Sequence, residues 1–384
     1  MASDRPRLLF VVTEDWYFHS HRLALAEAAL DAGFSVAVAT RVDAHRQAIE
    51  VCGCEVIPLQ RLRRRSLNPL REIAAAAELV DVYRRWRPDI VHQVAMKPVL
   101  YGSLAARLAG VRSTVNALAG LGFVYSSRTP LARTLRPAVN VALRLAVNRT
   151  GSIAIVQNDD DAEVLRDMGL LNPAAVEVIR GSGVDLERFR PVAGSEQQPP
   201  VVMLASRMLW DKGIREFAEA AEQLKADRVD ARFVLVGGRD EENPTAVPSG
   251  TLARWKESGL IEWWGHRDDM PDVLRLATIM CLPSYREGLP KVLLEAAACG
   301  KPMIAADVPG CRDIVRDRVT GLLVPPRDGQ ALALAIRTLL ADAGLREDMG
   351  RNARRAAETQ FGLPSVQART LALYRKLLPP ATPC

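Results

Sequence analysis

Short runs of aliphatic and β-branched residues recur along this chain, and each pair of them is separated by a segment of helical length. Leu8 to Thr13 (LLFVVT) and Ser35 to Thr40 (SVAVAT) are of strand length and apolar throughout, and between them a helix is predicted from about His21 to Ala32, stopped by Gly33. The alternation continues with strands near Glu55–Ile57, Ile90–His92, Thr114–Ala117, Ile153–Gln157 and Val176–Ile179. Strands that alternate with helices need crossover connections, so the implied sheet is parallel and doubly wound, with ligands bound beyond the carboxyl ends of its strands.

The periodicity breaks once, at DLERFRPVAGSEQQPP (185–200), and then restarts. Val201–Ser206, Phe233–Val236, Ile261–Trp264, Ile279–Leu282 and Met303–Ala305 form a second set of strands, with a helix beginning near Gly213, and Gly329 to Leu378 is nearly all helical. A chain of 384 residues also exceeds one ordinary core. The expected α/β architecture is therefore two Rossmann-like domains facing one another across a cleft. The first domain spans 1–185, the linker 186–200, the second domain 201–361, and a terminal segment 362–384 follows.

Several classes are excluded. No glycine precedes Gly33, so the dinucleotide fingerprint is missing after the first strand, which argues against an NAD-dependent oxidoreductase. Arg5-Pro6-Arg7 leads directly into the first strand without a signal pattern, and no apolar run approaches the roughly 20 residues that span a bilayer. The six cysteines show no paired CxxC spacing and no histidine partners, which fits a reducing cytoplasm better than a zinc site. The net charge of +6 is unevenly spread. From Ile90 to Asn158 no acid occurs, while Lys97, Arg107, Arg112, Arg128, Arg133, Arg136, Arg144 and Arg149 all do. An anionic partner is expected for the first domain. Few aromatics interleave the basic residues and no known nucleic-acid reading motif is present, so nucleic acid is not the expected partner.

The densest chemistry lies in PSYREGLPKVLLEAAACG (283–300). Glu287 and Glu295 bracket a Gly288-Leu289-Pro290 turn that opens an apolar helix, with Pro290 expected at its first position. Amides at such a helix start bind anions, and the carboxylates suit hydroxyls beside them. The same spacing alone would also serve a helix cap and a surface carboxylate. In ASRMLWDKGI, Arg207 follows a strand and Lys212 precedes a helix, a placement that can hold two phosphates or belong to an ordinary basic loop. In the first domain the residues beyond strand ends are EDWYFHSH, HQVAMK and AGLGF. They supply His19, His21, His92, Lys97, Gly120 and Gly122 as acceptor-binding candidates, each histidine being equally suited to a structural hydrogen bond.

These segments, with IRGSGVDLERFRP, VLVGG, WGHRDDMPDVL, KPMIAADVPGCRDIV, TGLLVPPRD and LPSVQARTLALYRKLL, closely resemble the retaining glycosyltransferases of family 4 over essentially the whole chain. The resemblance implies the GT-B fold, with the last helix crossing back to the first domain. It implies that Arg207 and Lys212 clamp a donor diphosphate, that Glu287 meets the donor sugar and Glu295 the ribose, and that the loop of His266 contacts the base. Arg207, Lys212 and Glu287 would be the catalytic group and no metal would be needed, in keeping with the missing Asp-x-Asp motif. Two departures stand out: Ser182 replaces the usual Asn, and Ala119 replaces the His found in many relatives, so proton transfer would fall to the leaving phosphate. MKPVLYGSLAARLAGVRSTVNALAGLG resembles the acceptor region of members that extend bacterial O-antigen, capsule or glycan repeats on polyprenyl diphosphate. The implied substrates are a UDP-GlcNAc or UDP-GalNAc type donor and a lipid-linked saccharide. In PLARTLRPAVNVALRLAVNRT, helical spacing gathers Arg133, Arg136, Asn140, Arg144 and Asn148 opposite Leu135, Val139, Ala142 and Ala146. That pattern suits either an anionic membrane surface or a helix packed on its own domain. A soluble acceptor, or a module that binds sugar nucleotides without turnover, would give the same motifs.

Overall fold

The computed structural model describes residues 5–64, 68–118, 120, 130–170, 172, 175–192, 198–241 and 243–378. They form two compact units, Met1–Ser182 with Val366–Cys384, and Gly183–Ser365.

The first unit is built on seven strands: β1 (Arg7–Glu14), β2 (Ser35–Arg41), β3 (Glu55–Pro58), β4 (Ile90–Val94), β5 (Ser113–Leu118), β6 (Ser152–Val156) and β7 (Val176–Val178). All pair in parallel, in the order β3-β2-β1-β4-β5-β6-β7. In β1, Leu8, Phe10 and Val12 enter one apolar core while Leu9 and Val11 enter another. Both faces of the sheet are thus covered by helices, which is why its strands are apolar without alternation.

The second unit repeats the scheme with β8 (Val201–Ala205), β9 (Arg232–Val236), β10 (Glu262–Trp263), β11 (Ile279–Leu282), β12 (Met303–Ala306) and β13 (Gly321–Val324). The order is β10-β9-β8-β11-β12-β13, again all parallel. In each sheet the winding reverses beside the first strand, between β1 and β4 and between β8 and β11. Such a switch point opens a crevice at the carboxyl ends of two strands whose helices leave in opposite directions.

Four local readings are corrected. Glu14 to His21 is not a loop, because Asp15–His21 forms a helix before the longer Leu23–Asp31. β13 belongs to the second sheet although TGLLVPPRD gave only a motif resemblance. Of the segment read as a linker, Asp185 and Phe189 belong to the second unit: Phe189 is buried in its core and Asp185 accepts the Glu187 and Arg188 amides. Helix Pro130–Val147 buries Leu143, Ala146 and Val147, whereas Ala142 faces outward with Val141 and Leu145.

The helix Leu363–Leu377 buries Val366, Thr370, Leu373 and Tyr374. From Val366 onward it is part of the first unit, where Val366, Leu373 and Tyr374 join the core that contains Phe10 and Val38.

Candidate active site

β8 and β11 deliver the charged residues of the second unit to its switch point. After β8 the chain makes a tight turn through Trp210–Lys212 and reaches Gly213 at φ 75°. A Cβ at Gly213 would lie 2.1 Å from the Pro283 carbonyl oxygen, so only glycine lets this turn press against the end of β11. The amide of Tyr285 donates to the Asp211 carbonyl (2.9 Å) and ties the two loops together. Lys212 Nζ consequently meets Glu287 Oε1 at 2.5 Å, with the two side chains 20% and 12% exposed.

Gly310 is the second close approach. It has φ +78°, and a Cβ there would stand 2.2 Å from the Gly288 carbonyl oxygen, so the loop that carries Glu287 rests directly on backbone. Beyond it Leu289 is buried, and Pro290 has the extended ψ of 115°. Pro290 is therefore the cap, not the first helical residue, and the helix is Lys291–Ala298. Its first-turn N–H groups and positive end point to the neighbourhood of Glu287. Glu295, one turn in, is 7% exposed and paired with Lys291 at 3.3 Å. Burial raises its carboxyl above the usual range, against the pull of Lys291 and Arg188.

Arg207 follows β8 and donates to Asp240 (2.6 Å), a partner on the loop after β9. His266 is 73% exposed and faces Asp268 at 3.2 Å. It lies beside Gly238, with no direct contact to the Lys212 and Glu287 pair among the described residues. The structure thus brings Lys212, Glu287, Gly288, Leu289, Pro290 and Glu295 together around one helix start and sets Arg207 on the loop after the adjacent strand.

Three supports were not read from the sequence. Tyr285 donates its hydroxyl to Glu216 (2.8 Å), a 4% exposed carboxylate on the helix Ile214–Ala226, and Arg327 stacks 4.3 Å over the Tyr285 ring. Burial, followed by Glu216, pushes the phenol up to about 12. Cys311, also buried, has its thiol raised, first by burial and then by Glu287. No local signal in the sequence marks these contacts, because their partners are brought up by other strands.

The acceptor candidates of the first unit are more dispersed. His19 and His21 lie on the helix Asp15–His21, His19 with its ring 4.7 Å from His45 and His21 stacked 4.2 Å from Tyr17. His92 is inside β4 and 1% exposed, so it is not a loop residue. Lys97, on the helix Met96–Ala109, gives its ammonium to Glu72 at 3.0 and 3.1 Å. Gly120 adopts φ 92° just past β5. Gly122 and Ala119 lie outside the described residues, as do the remainder of AGLGF and Arg128. Among the described residues no cluster of three or more His, Cys, Asp or Glu side chains could hold a metal. No described helix is long and apolar enough to cross a membrane.

Two parallel, doubly wound Rossmann-like units in one chain are the architecture of the GT-B class, and solved structures share the fold. Sucrose-phosphate synthase from Thermosynechococcus elongatus is 23% identical and matches with a TM-score of 0.80 over 97% of this chain and 99% of that one. Anabaena HepE, solved with UDP and glucose, is 21% identical with a TM-score of 0.78 over 97% and 100%. Two family descriptions match: Glycosyl transferase 4-like over residues 7–157 and Glycosyl transferases group 1 over 185–356. The N,N'-diacetylbacillosaminyl-diphospho-undecaprenol alpha-1,3-N-acetylgalactosaminyltransferase of Campylobacter jejuni is 31% identical over 93% of this chain and 95% of its own. A 2-deoxystreptamine glucosyltransferase of Streptomyces kanamyceticus is 26% identical over 93% and 95%. The chain belongs to the group 1, family 4-like glycosyl transferases and is a glycosyltransferase.

Proposed function

We propose that this enzyme transfers a hexose or N-acetylhexosamine from a UDP-sugar to a polyprenyl-diphosphate-linked saccharide, with retention of configuration. The observation that carries the reading is the meeting of Lys212 and Glu287 at the second switch point, beside the start of the helix Lys291–Ala298. Arg207 and Lys212 receive the donor diphosphate, and the helix start adds N–H groups to the same charge. Once Lys212 turns to the phosphate, Glu287 is released to accept from the donor sugar, while Glu295 accepts from the ribose hydroxyls. His266 lies on the loop assigned to the base.

The bond from the anomeric carbon to the phosphate oxygen breaks as the acceptor oxygen adds to the same face. The acceptor proton passes to the departing diphosphate, whose charge the two cations hold. That route needs no base at position 119, where the chain has Ala119. His19, His21, His92, Lys97, Gly120 and Gly122 are assigned to the acceptor side.

The lipid-linked acceptor is supported by the Campylobacter relative, whose name specifies a diphospho-undecaprenol substrate. The first unit also exposes Leu104, Leu108, Val141 and Leu145 on the helices Met96–Ala109 and Pro130–Val147, with Arg107 and Arg149 nearby, which suits an anionic membrane surface at the cytoplasmic face. The Streptomyces relative favours a second reading in which the acceptor is soluble.

The test is a transfer assay with UDP-GalNAc, UDP-GlcNAc and UDP-Gal against a short polyprenyl-diphosphate saccharide and free amino sugars, paired with flotation on anionic liposomes. Transfer to the lipid-linked acceptor, abolished in Glu287→Ala and Lys212→Ala, is expected. Undiminished transfer in both variants would remove the site assignment, and transfer only to free sugars would select the second reading.

A further inference from the structure

A small cavity lies on one face of the first sheet, against His92 of β4, Ala117 and Leu118 of β5 and Ile155 of β6. Its polar lining is Arg22, His92, Gln157, Ser182, Gln367 and Thr370, with no carboxylate among its lining residues. The room inside is about 20 Å³ for a water-sized sphere, enough for a single atom of that size.

Arg22, which leaves the end of the helix Asp15–His21, is 6% exposed. Its Nε is buried without a partner, and its Nη1 reaches only the His21 carbonyl, at 3.5 Å. His92 is 1% exposed and approaches the Tyr374 hydroxyl through Nδ1 at 2.5 Å. That phenol has no other hydrogen-bond partner among the described residues; we assign it as the donor to Nδ1, which satisfies its O–H and puts the imidazole proton on Nε2. Nε2 is buried and unpaired as well. Burial, with Arg22 adding to it, keeps the ring neutral.

The other walls do not quench these donors. Thr370 donates to the Val366 carbonyl and Gln367 to the Ala24 carbonyl. The side chains of Gln157 and Ser182 make no hydrogen bond to any described residue. A buried guanidinium that faces no acid is costly, and an aliphatic side chain would fill the same volume without that cost. Two buried, unpartnered N–H groups on the wall of one small cavity suit an anionic oxygen.

We infer that this cavity is an oxyanion site that seats one phosphoryl oxygen of a diphosphate between the Arg22 guanidinium and His92 Nε2–H. The remainder of the group stands at the mouth, beside the half-exposed Ser182. The chemistry of the cavity is independent of the donor site. Naming the acceptor's diphosphate as the source rests on the function proposed above.

Thermal unfolding with UDP in saturating amount, so that the donor site is filled, tests it. Inorganic pyrophosphate at a hundredfold excess over Kd is expected to raise the Tm of the wild-type protein by about 5 °C. Arg22→Met should lose that response yet be at least as stable in anion-free buffer, since it removes an unpaired buried charge. Ser182→Asp, which places a carboxylate in the cavity, should raise the Tm and abolish the response. An undiminished pyrophosphate response in Arg22→Met overturns the site, and if that variant does not fold, an undiminished response in Ser182→Asp does so. Farnesyl diphosphate protecting better than pyrophosphate identifies a prenyl-linked source, and equal protection identifies free phosphate. A protein that responds to pyrophosphate and not to UDP would refute the donor reading and leave this site standing.

Discussion

Arg22 in the first unit and Lys212 in the second occupy equivalent places in the chain, each in the crossover after the first strand of its sheet. Their surroundings differ in one respect. Lys212 rests on Glu287, Arg207 on Asp240 and Lys291 on Glu295, whereas Arg22 pairs with no carboxylate among the described residues. On the function proposed above, Lys212 and Arg207 must each leave an acid before they can take a phosphate, and Glu287, once released, becomes an acceptor for hydroxyls. A site of that kind answers only to a ligand that carries both chemistries. The cavity inferred above as an oxyanion site offers donors without an acid beside them, so by that inference it selects for negative charge alone.

The contrast is open to attack in order of expected size. Lys212→Ala is predicted to lower transfer by about a thousandfold, as for loss of a cation that faces the developing charge, in steady-state kinetics at saturating donor. Glu287→Gln should separate the two functions of its pair: turnover falls similarly, while UDP alone binds more tightly in calorimetry because Lys212 no longer has to leave an acid. Equal UDP affinity in the variant and the wild type would mean that the pair does not compete with the nucleotide.

Glu295→Gln is predicted to weaken donor binding by about tenfold, corresponding to one hydrogen bond to a charged group. It should also change the pH dependence of stability. The folded-state pKa of Glu295 is raised by burial, so the native protein holds a proton that the unfolded chain releases above the ordinary carboxyl range. Its destabilising effect is absent at low pH and grows as pH rises through that range. The variant should therefore exceed the wild type in Tm at neutral pH and converge on it near pH 4. Tyr285→Phe leaves Glu216 buried without its donor and is expected to cost about 2 kcal/mol of stability by denaturant titration, with transfer reduced less than tenfold. The smallest effect belongs to His266→Ala, whose exposed contact with Asp268 is worth about 0.5 kcal/mol or less, and a change in donor KM under threefold is expected.

How much of this was legible in the sequence follows from what each feature depends on. The strands were visible because a sheet covered on both faces must be apolar at every position, as in LLFVVT and VVMLA. The loop of Glu287 was visible because glycine and proline punctuate it. The helix Asp15–His21 was missed because DWYFHSH has no apolar repeat at helical spacing. The depth of His92 was missed because its partner, Tyr374, is far away along the chain. Asp240, Glu216 and Gly310 act only through neighbours brought up by other strands, and no local pattern announces them. Arg22 gave no signal of its own, since the absence of an acid around it is a property of the folded cavity.

The helix that carries Tyr374 has a consequence for how the protein is made. The strands of the first unit leave the ribosome before those of the second, yet its core still lacks Val366, Leu373 and Tyr374 until the whole second unit has been translated. The half that starts first is completed last. A nascent chain halted anywhere before the final helix would display the unpaired imidazole of β4 and an open apolar seam to whatever chaperone is waiting.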